Sequence, residues 1–488
     1  MKVQALVFAL MISGFAGTTQ AADQAAAPAA AAPSASADDP MARAAKLTEQ
    51  EIKSSSNREA LGQLAGLYNG KDVERFIWTL ERLVELTPNS GELRMQLAGL
   101  YAALEDKSKV YDILIRMQAQ GFAYDLAKDP RFEKAHGTQV WDYLVKNFEA
   151  NARPFGEGSV AFELPKGDHL YETLAWDPVR KKFLVGSARD GAVVIADDKG
   201  QVTEFIKPDA ASGLWSVLDL KVDAENDALW VASAGLRLFK GYNADVVGRA
   251  QVLKYKLSTG KLLATYAPED GNKGHIFTAL AVAKGGRVYV ADGSLKEIYA
   301  VEGDKLKRIA GNQRLSGIRG LAVTDDGKTL YFADPSLGIF GIDLASSKPF
   351  AVVHSPERLV VGGIDGMYWY DGCLVIIQRD MVPRRVMRLK LTPDGQKITA
   401  VMPLQANHAA FTSPSVGTVA GNSLYFVANS QKALYDSHGV LRDEKLLEPV
   451  RIFKNDLRFA WDQPGIPGGP APIPVQKGDG SVTPPGGQ

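Results

Sequence analysis

The sequence predicts an N-terminal α-helical repeat module followed by a C-terminal six-bladed β-propeller. Two patterns carry this prediction: apolar residues at helical spacing over residues 41–150, and a strand motif that returns six times within residues 155–458. The composition agrees, because 488 residues with 45% hydrophobic and 23% charged side chains are ordinary for a globular protein of several domains.

The strand motif consists of an apolar strand, a polar turn and a second apolar strand that ends in a small or acidic residue. Its second strands begin at residues 183, 229, 288, 330, 374 and 424. A four-stranded propeller blade with its connections needs about 40–50 residues, so six copies at this spacing predict six blades. The strand at 159–164 precedes the first complete blade. We expect it to close the ring by pairing with the last blade, which leaves no free sheet edge.

The helical part contains an internal repeat. The pentapeptide Leu-Ala-Gly-Leu-Tyr occurs at 64–68 and again at 97–101. Between the copies, an apolar helical face ends before Pro88, because the residue before a proline disfavours the α region. A small residue beside Leu and Tyr at this period resembles tetratricopeptide repeats. The resemblance implies a module that binds a partner protein or an extended peptide. Two clear copies are few, so we expect the propeller to cap them.

The sequences at the two ends of the chain indicate an exported protein with a linker and a tail outside the folded domains. Residues 1–21 have a charged start, an apolar core and small residues at the end, which predicts a cleaved signal peptide and a periplasmic or secreted protein. An uncleaved anchor is the alternative. Residues 22–40 form an Ala/Pro-rich linker, and residues 463–488 form a Pro/Gly-rich tail for which we expect disorder. No later stretch has about 20 uninterrupted apolar residues, so no transmembrane segment is expected.

The charged and sulfur-containing residues exclude several kinds of site. Lysine and arginine number 56, as do aspartate and glutamate, so no nucleic-acid partner is expected. The single cysteine, Cys373, excludes an intrachain disulfide and a Cys-built metal site, and its apolar strand predicts a buried core residue. The six histidines do not show the spacing of a zinc site.

Two stretches resemble the SMP-30/gluconolactonase-like group of six-bladed propellers, which neighbours NHL-type and strictosidine-synthase-like propellers. They are GLAVTDDGKTLYFAD at 320–334 and IDGM at 364–367. The resemblance implies a metal-dependent lactonase with one divalent cation, such as Ca²⁺ or Zn²⁺, at the centre of the ring. In that family a Glu, two Asn and an Asp from the starts of the innermost strands hold the ion. The ion polarises a lactone carbonyl while a carboxylate handles the proton.

Aligning the innermost strands places five residues of this chain around the axis. In blade order they are Glu172, Leu218, Thr278, Arg319 and Asp365. Glu172 and Asp365 match the family's two carboxylates, whereas Thr278 and Arg319 stand where the family has asparagines. A guanidinium accepts no hydrogen bond and cannot ligate a cation, so Arg319 beside two carboxylates predicts an ion pair that competes with a metal.

The candidate site therefore has two interpretations. In the first, the protein is a binding or scaffold protein with a degenerate metal site, and Arg319 anchors a ligand carboxylate or phosphate. In the second, it is a hydrolase of a small lactone or sugar-derived ester, with Glu172 and Asp365 as catalytic and metal-binding residues. The other candidate ligand-binding residues are Thr278, Asp219, Trp215 and His275. The direction of the Arg319 guanidinium should separate the two interpretations.

Overall fold

The computed structural model describes Ala44 and residues 46–271 and 274–458. A helical region is followed by a six-bladed β-propeller, which confirms the predicted propeller. The signal peptide, the linker and the Pro/Gly-rich tail predicted from the sequence all lie outside the described residues. Within the described chain, no helix is long and apolar enough to cross a membrane.

The α-helices of the described chain and one 3₁₀-helix precede the first strand, and four short 3₁₀-helices lie within the propeller. Their bounds are α1 Glu49–Ser54, α2 Arg58–Tyr68, α3 Val73–Leu86, α4 Gly91–Ala103, α5 Lys107–Ala119, a 3₁₀-helix Pro130–Ala135 and α6 Gln139–Asn151. Side chains cap their N-termini; Thr48, for example, forms a capping box with Glu51. The helix α3 ends before Pro88, as the sequence predicts. The two pentapeptides lie in α2 and α4, and their assignment to tetratricopeptide-like repeats stays a prediction.

The strands form six four-stranded antiparallel sheets. Their bounds are β1 Ser159–Leu164, β2 Tyr171–Asp177, β3 Lys182–Ser187, β4 Ala192–Ala196, β5 Val202–Ile206, β6 Ser216–Asp223, β7 Ala228–Ala234, β8 Ala250–Lys256, β9 Leu262–Tyr266, β10 Phe277–Val282, β11 Val288–Asp292, β12 Glu297–Glu302, β13 Lys305–Gly311, β14 Arg319–Val323, β15 Thr329–Asp334, β16 Gly338–Asp343, β17 Lys348–Ala351, β18 Ile364–Tyr370, β19 Cys373–Gln378, β20 Arg385–Leu391, β21 Ile398–Ala406, β22 Gly417–Ala420, β23 Ser423–Val427 and β24 Val450–Asp456.

The predicted ring closure is confirmed. Strands β2 to β21 form five blades in chain order, and the sixth blade has the order β22-β23-β24-β1. The strand β1 pairs with β24 from Ser159 opposite Lys454 to Leu164 opposite Val450. The two ends of the propeller chain therefore share one sheet, and Cys373 is a buried residue of β19, as expected.

Each innermost strand of the first five blades has a β-bulge near its first residues, at what we term the upper end of the propeller. The residues left out of the pairing register are Glu172, Leu218, Thr278, Gly320 and Asp365. A bulge turns a side chain away from the regular alternation of the strand. The side chains at these positions therefore point in a different direction from those of their neighbours in the strand.

The helical region, residues 49–151, packs on upper loops of the fourth and fifth blades. Its hydrophobic core includes Val360 and Met381 from these loops. Backbone contacts also join the two parts, since the amide of Ala123 donates to the carbonyl of Val382 at 2.9 Å. The propeller thus completes the core of the helices, and the helices border the end of the ring where the innermost strands begin.

Candidate functional site

Two arginines hold Asp365 at the upper end of the axis. Arg319 Nη1 donates to Asp365 Oδ1 at 3.0 Å, and Arg379 Nη1 donates to Asp365 Oδ2 at 2.9 Å. The hydroxyl of Ser415 also donates to Oδ2, at 3.1 Å. Burial alone would raise the pKa of Asp365, but Arg379 and Arg319 outweigh it and hold that pKa below its usual range. Both oxygens of Asp365 therefore accept hydrogen bonds, and the carboxyl group is ionised.

The second axial carboxylate, Glu172, is in a different electrostatic state. Ser430 Oγ donates to Glu172 Oε1 at 2.6 Å. Burial raises the pKa of Glu172, and the negative charge of Asp365 adds to that effect, whereas Ser430, Lys432 and Arg379 oppose it. The net direction is upward, so Glu172 takes up a proton more readily than an exposed glutamate. The two carboxylates therefore have pKa values shifted in opposite directions.

A third cation, Lys432, lies in the connection between β23 and β24. It is exposed to solvent, yet protein atoms surround it closely enough that burial, Arg319 and Arg379 lower its pKa. We use the term recess for the solvent-exposed space that Lys432 and Arg319 border. The Arg319 side chain is 41% exposed, whereas that of Asp365 is 7% exposed. The cations therefore reach towards solvent above a buried carboxylate.

We call this group the axial site. It comprises Glu172, Arg319, Asp365, Arg379, Ser415, Ser430 and Lys432. Its three cations face two carboxylates, which leaves one formal positive charge when both carboxylates are ionised and two when Glu172 is protonated. A further carboxylate, the exposed Asp380, lies 3.4 Å from Arg379 Nε and offsets part of this charge at the solvent side. The balance among the residues around Asp365 favours an anion over a metal cation.

The loop that carries Ser430 and Lys432, residues 428–449, is anchored to neighbouring blades. Arg189 Nη1 donates to the carbonyls of Leu238 and Gly439 at 2.6 and 3.0 Å. Asp168 binds the same guanidinium and accepts the hydroxyl of Tyr435 at 2.6 Å. These bonds tie the loop to the first and second blades and hold it beside the axis.

The axial channel is narrow below the axial site. Asp219 accepts two hydrogen bonds from Lys221 Nζ, at 2.7 and 2.9 Å, and one from the amide of Leu280 at 2.7 Å. Together with Tyr368, Asp219 and Lys221 line a cavity of about 10 Å³. That volume holds about one water molecule. A ligand larger than water would therefore rest in the recess above.

The structure brings Glu172, Arg319 and Asp365 together, and it places the other sequence candidates elsewhere. Thr278 lies beside the site and donates to the carbonyl of Ile318 at 2.8 Å. Asp219 lies in the channel below. Trp215 is buried under the Arg249 guanidinium, and His275 is buried between Asp292 and Asp270. These last two side chains have partners of their own on the second and third blades.

Four members of the axial site are not found by the alignment of innermost strands. Ser415 is two residues before Gly417 of β22, so it is the equivalent residue of the sixth blade, whose short strand escaped the pattern. Arg379 directly follows β19, and its position after a strand end was the only signal. Ser430 and Lys432 lie in a loop without a recognisable motif. Loop residues of this kind become neighbours of the axis only through folding.

The axial residues do not fit the divalent cation that the family resemblance implies. A hard cation needs several free oxygen ligands. Here both oxygens of Asp365 accept from guanidiniums, and an arginine and a threonine occupy the positions of the two amides. A metal would have to displace two arginines from a carboxylate whose pKa they already lower. We therefore derive no chemical step through a metal.

Comparisons with known proteins concern the fold. No family model matches the chain, and no curated protein matches it. Among solved structures, a gluconolactonase from Xanthomonas campestris is 15% identical, with 64% of this chain and 93% of that chain covered at a TM-score of 0.40. The PQQ-bound aldose sugar dehydrogenase from Streptomyces coelicolor is 15% identical, with coverage of 62% and 99% and a TM-score of 0.40. At 15% identity and a TM-score of 0.40, these similarities say nothing about which reaction or ligand this protein has.

Proposed function

We propose that the protein is an exported binding protein whose axial site holds a small organic anion such as a carboxylate. The observation that carries this proposal is the pair of guanidiniums on Asp365, with Arg319 Nη1 at 3.0 Å and Arg379 Nη1 at 2.9 Å. One of these cations neutralises Asp365, and an ionised Glu172 offsets a second, so one positive charge remains among Arg319, Arg379 and Lys432. An anion in the recess would balance that excess.

The donors required for such a ligand are available. A guanidinium has five N–H donors, and the one hydrogen bond from Arg319 to Asp365 leaves the others for a ligand. Arginine pairs with carboxylates through two parallel hydrogen bonds, which gives both affinity and orientation. Because Arg319 is 41% exposed, its remaining donors are accessible from the recess.

The helical region supports the second part of the proposal, a partner protein or peptide. The pentapeptides at 64–68 and 97–101 resemble repeats that bind extended peptides. In this proposal the propeller carries the small-molecule site and the helices recruit the partner. The two functions would then meet on the upper side of the ring.

A metal-dependent or metal-free hydrolase is the second candidate. It is favoured by the opposite pKa shifts of the two carboxylates, because acid–base catalysis uses one protonated and one ionised carboxyl group. In this reading Glu172 is the general acid and Asp365 stabilises positive charge. The weakness of this candidate is that two arginines already neutralise Asp365.

Thermal unfolding in the presence of defined anions tests the binding proposal. At constant ionic strength, we expect D-gluconate or acetate to raise the unfolding temperature, whereas Ca²⁺ as its chloride should not. A ligand that binds only the folded state stabilises it by about 2.7 kcal/mol at 100 times its Kd, so the shift should grow with anion concentration across a titration. A shift with Ca²⁺ and none with any anion would contradict the proposal.

Metal analysis of the purified protein and a lactone hydrolysis assay test the hydrolase. The assay is run with and without Ca²⁺, Zn²⁺ or Mn²⁺, and Asp365→Ala is the control variant. Stoichiometric metal together with turnover that Asp365→Ala abolishes would establish the hydrolase instead. The binding proposal predicts neither stoichiometric metal nor turnover.

A further inference from the structure

We infer that the helical region positions the axial site, so that moving the helices away from the propeller weakens anion binding. The inference rests on the proposed function and concerns its regulation. The connecting element is the stretch 360–365, which we call the carrier segment because it ends at Asp365. Three separate sets of contacts tie the carrier segment to the helices.

The first set is hydrophobic. Val360 is 1% exposed and belongs to the hydrophobic core of the helical region, together with Met381 from the next upper loop. Removing a valine side chain from water favours the packed arrangement. The side chain at the start of the carrier segment is therefore packed among the helices.

The second set involves the turn between α3 and α4. Asn89 Nδ2 donates to the carbonyl of Ser336 at 2.7 Å, and the amide of Gly363 donates to the neighbouring carbonyl of Pro335 at 3.0 Å. Asn89 also packs so closely on Gly362 that a methyl group at Gly362 would overlap the Cβ of Asn89. The middle of the carrier segment thus lies between a helical turn and the loop that this turn binds.

The third set is a buried hydrogen-bond network. Gln378 Nε2 donates to the carbonyls of Val360 and Gly362 at 2.9 and 2.6 Å. Gln378 Oε1 accepts from Arg385 Nε at 2.6 Å, and Arg385 Nη1 donates to the carbonyl of Gln120 at the end of α5. Buried polar networks of this type act cooperatively. The helices therefore reach the carrier segment through Arg385 and Gln378 as well.

The network continues directly into the axial site. Arg379 follows Gln378 in the chain, and its amide donates to the carbonyl of Gly363 at 3.0 Å. Its side chain then binds Asp365. A displacement of the carrier segment would shift both partners of this ion pair, and Arg319 would lose its bond to Asp365. By linkage, anything that binds the helices and moves them changes anion affinity, and the bound anion opposes that movement by the same free energy.

Hydrogen exchange measured by mass spectrometry tests the positioning role on the full chain. We expect Asn89→Gly to speed amide exchange within residues 360–366 by about fivefold, because a lost hydrogen bond costs about 1 kcal/mol. The matched control is Asn407→Gly, which removes the bond from Asn407 to the carbonyl of Ala152, another bond between the propeller and the helices. Its backbone already has φ of 48°, which glycine accepts.

Exchange that is unchanged in Asn89→Gly, or equally faster in both variants, would overturn the inference. If Asn89→Gly does not fold, Asn89→Ala replaces it, because alanine keeps the Cβ contact with Gly362 and removes only the bond to Ser336. A smaller increase in the exchange of residues 360–366 is then expected, and no increase would again overturn the inference.

Anion titration separates this inference from the proposed function. If D-gluconate binds the unchanged protein, we expect at least threefold weaker binding by Asn89→Gly and unchanged binding by Asn407→Gly. Equal affinities in the two variants would contradict the coupling. If no anion binds the unchanged protein, the proposed function fails, and the exchange experiment alone decides whether the helices position Asp365.

Discussion

The axial site depends on Asp365, and Arg319 determines what that carboxylate can do. An asparagine in the place of Arg319 would be a neutral neighbour of Asp365, and its amide oxygen could bind a cation. The guanidinium instead binds Asp365 Oδ1 and lowers the pKa of the carboxyl group together with Arg379. Arg319 and Arg379 together thus determine the preferred charge of the ligand.

Replacement of Arg319 tests this role. We expect Arg319→Asn to weaken D-gluconate binding at least tenfold, because a charge-assisted pair contributes about 1.5–3 kcal/mol. Ca²⁺ binding should not appear, since Arg379 still binds Asp365. Calorimetric titration of both ligands measures the two effects. Tight Ca²⁺ binding by Arg319→Asn would show that one arginine alone excludes the metal.

Replacement of Glu172 tests the raised pKa. A carboxyl group whose pKa is higher in the folded protein favours folding at low pH, and this contribution is lost as the pH rises through the folded pKa. We therefore expect Glu172→Gln to unfold at a temperature roughly 1–3 °C higher than the unchanged protein at pH 8. The difference in unfolding temperature should shrink towards pH 4.5, which is the ordinary pKa of a glutamate side chain. Thermal scans from pH 4.5 to 8 measure it, and a difference that grows as the pH falls would contradict the assignment.

At the residue scale, the sequence predicts the axial carboxylates and Arg319 but not the cations that complete the site. Glu172, Arg319 and Asp365 are found because they occupy one position of a repeated strand. Arg379 and Lys432 lie in loops of different length, where no periodic pattern marks them. Their approach to Asp365 is a property of the closed ring.

At the scale of the element, the β-bulges direct side chains to the axis. Four of the five bulged residues coincide with the aligned positions, but in the fourth blade the unpaired residue is Gly320 and Arg319 stays paired with Ala333. Strand periodicity predicts where strands lie, because alternation follows burial. It does not predict a one-residue shift of a bulge, which depends on the left-handed backbone of Gly320, with φ of 57°.

An alanine at Gly320 tests the importance of this bulge. The backbone conformation is unfavourable for alanine, and the added Cβ would lie 2.9 Å from the Cβ of Met367. We expect Gly320→Ala to lower the free energy of unfolding by about 1–3 kcal/mol more than Gly327→Ala. Gly327 also has positive φ, but no atom within 4 Å of its added Cβ. Urea unfolding measures both variants, and equal losses would show that the close contact with Met367 is unimportant.

At the scale of the whole molecule, the helices and the propeller are less independent than the sequence suggests. Composition and periodicity divide the chain near residue 150, and in the structure α6 ends at Asn151 and β1 begins at Ser159. The shared core does not follow from the sequence, because Val360 and Met381 lie more than 200 residues from the helices they contact. Pairings over such distances depend on the complete fold.

The whole molecule therefore combines a recess at the axial site, a loop anchored to the first and second blades, and a helical region packed on loops of the fourth and fifth blades. The net charge of zero for the chain conceals the local excess of cations at the axial site. This excess, rather than the likeness to lactonase propellers, is the basis for the proposed ligand. It also explains why the carboxylates shared with that family need not imply its metal.

A crystal structure of the protein grown with both D-gluconate and Ca²⁺ tests the central claim most directly. We predict a carboxylate within about 3.2 Å of nitrogen atoms of Arg319, Arg379 or Lys432, with Asp365 still bound by both arginines. A Ca²⁺ ion bound to Asp365 and Glu172, with the two guanidiniums turned away, would contradict the account.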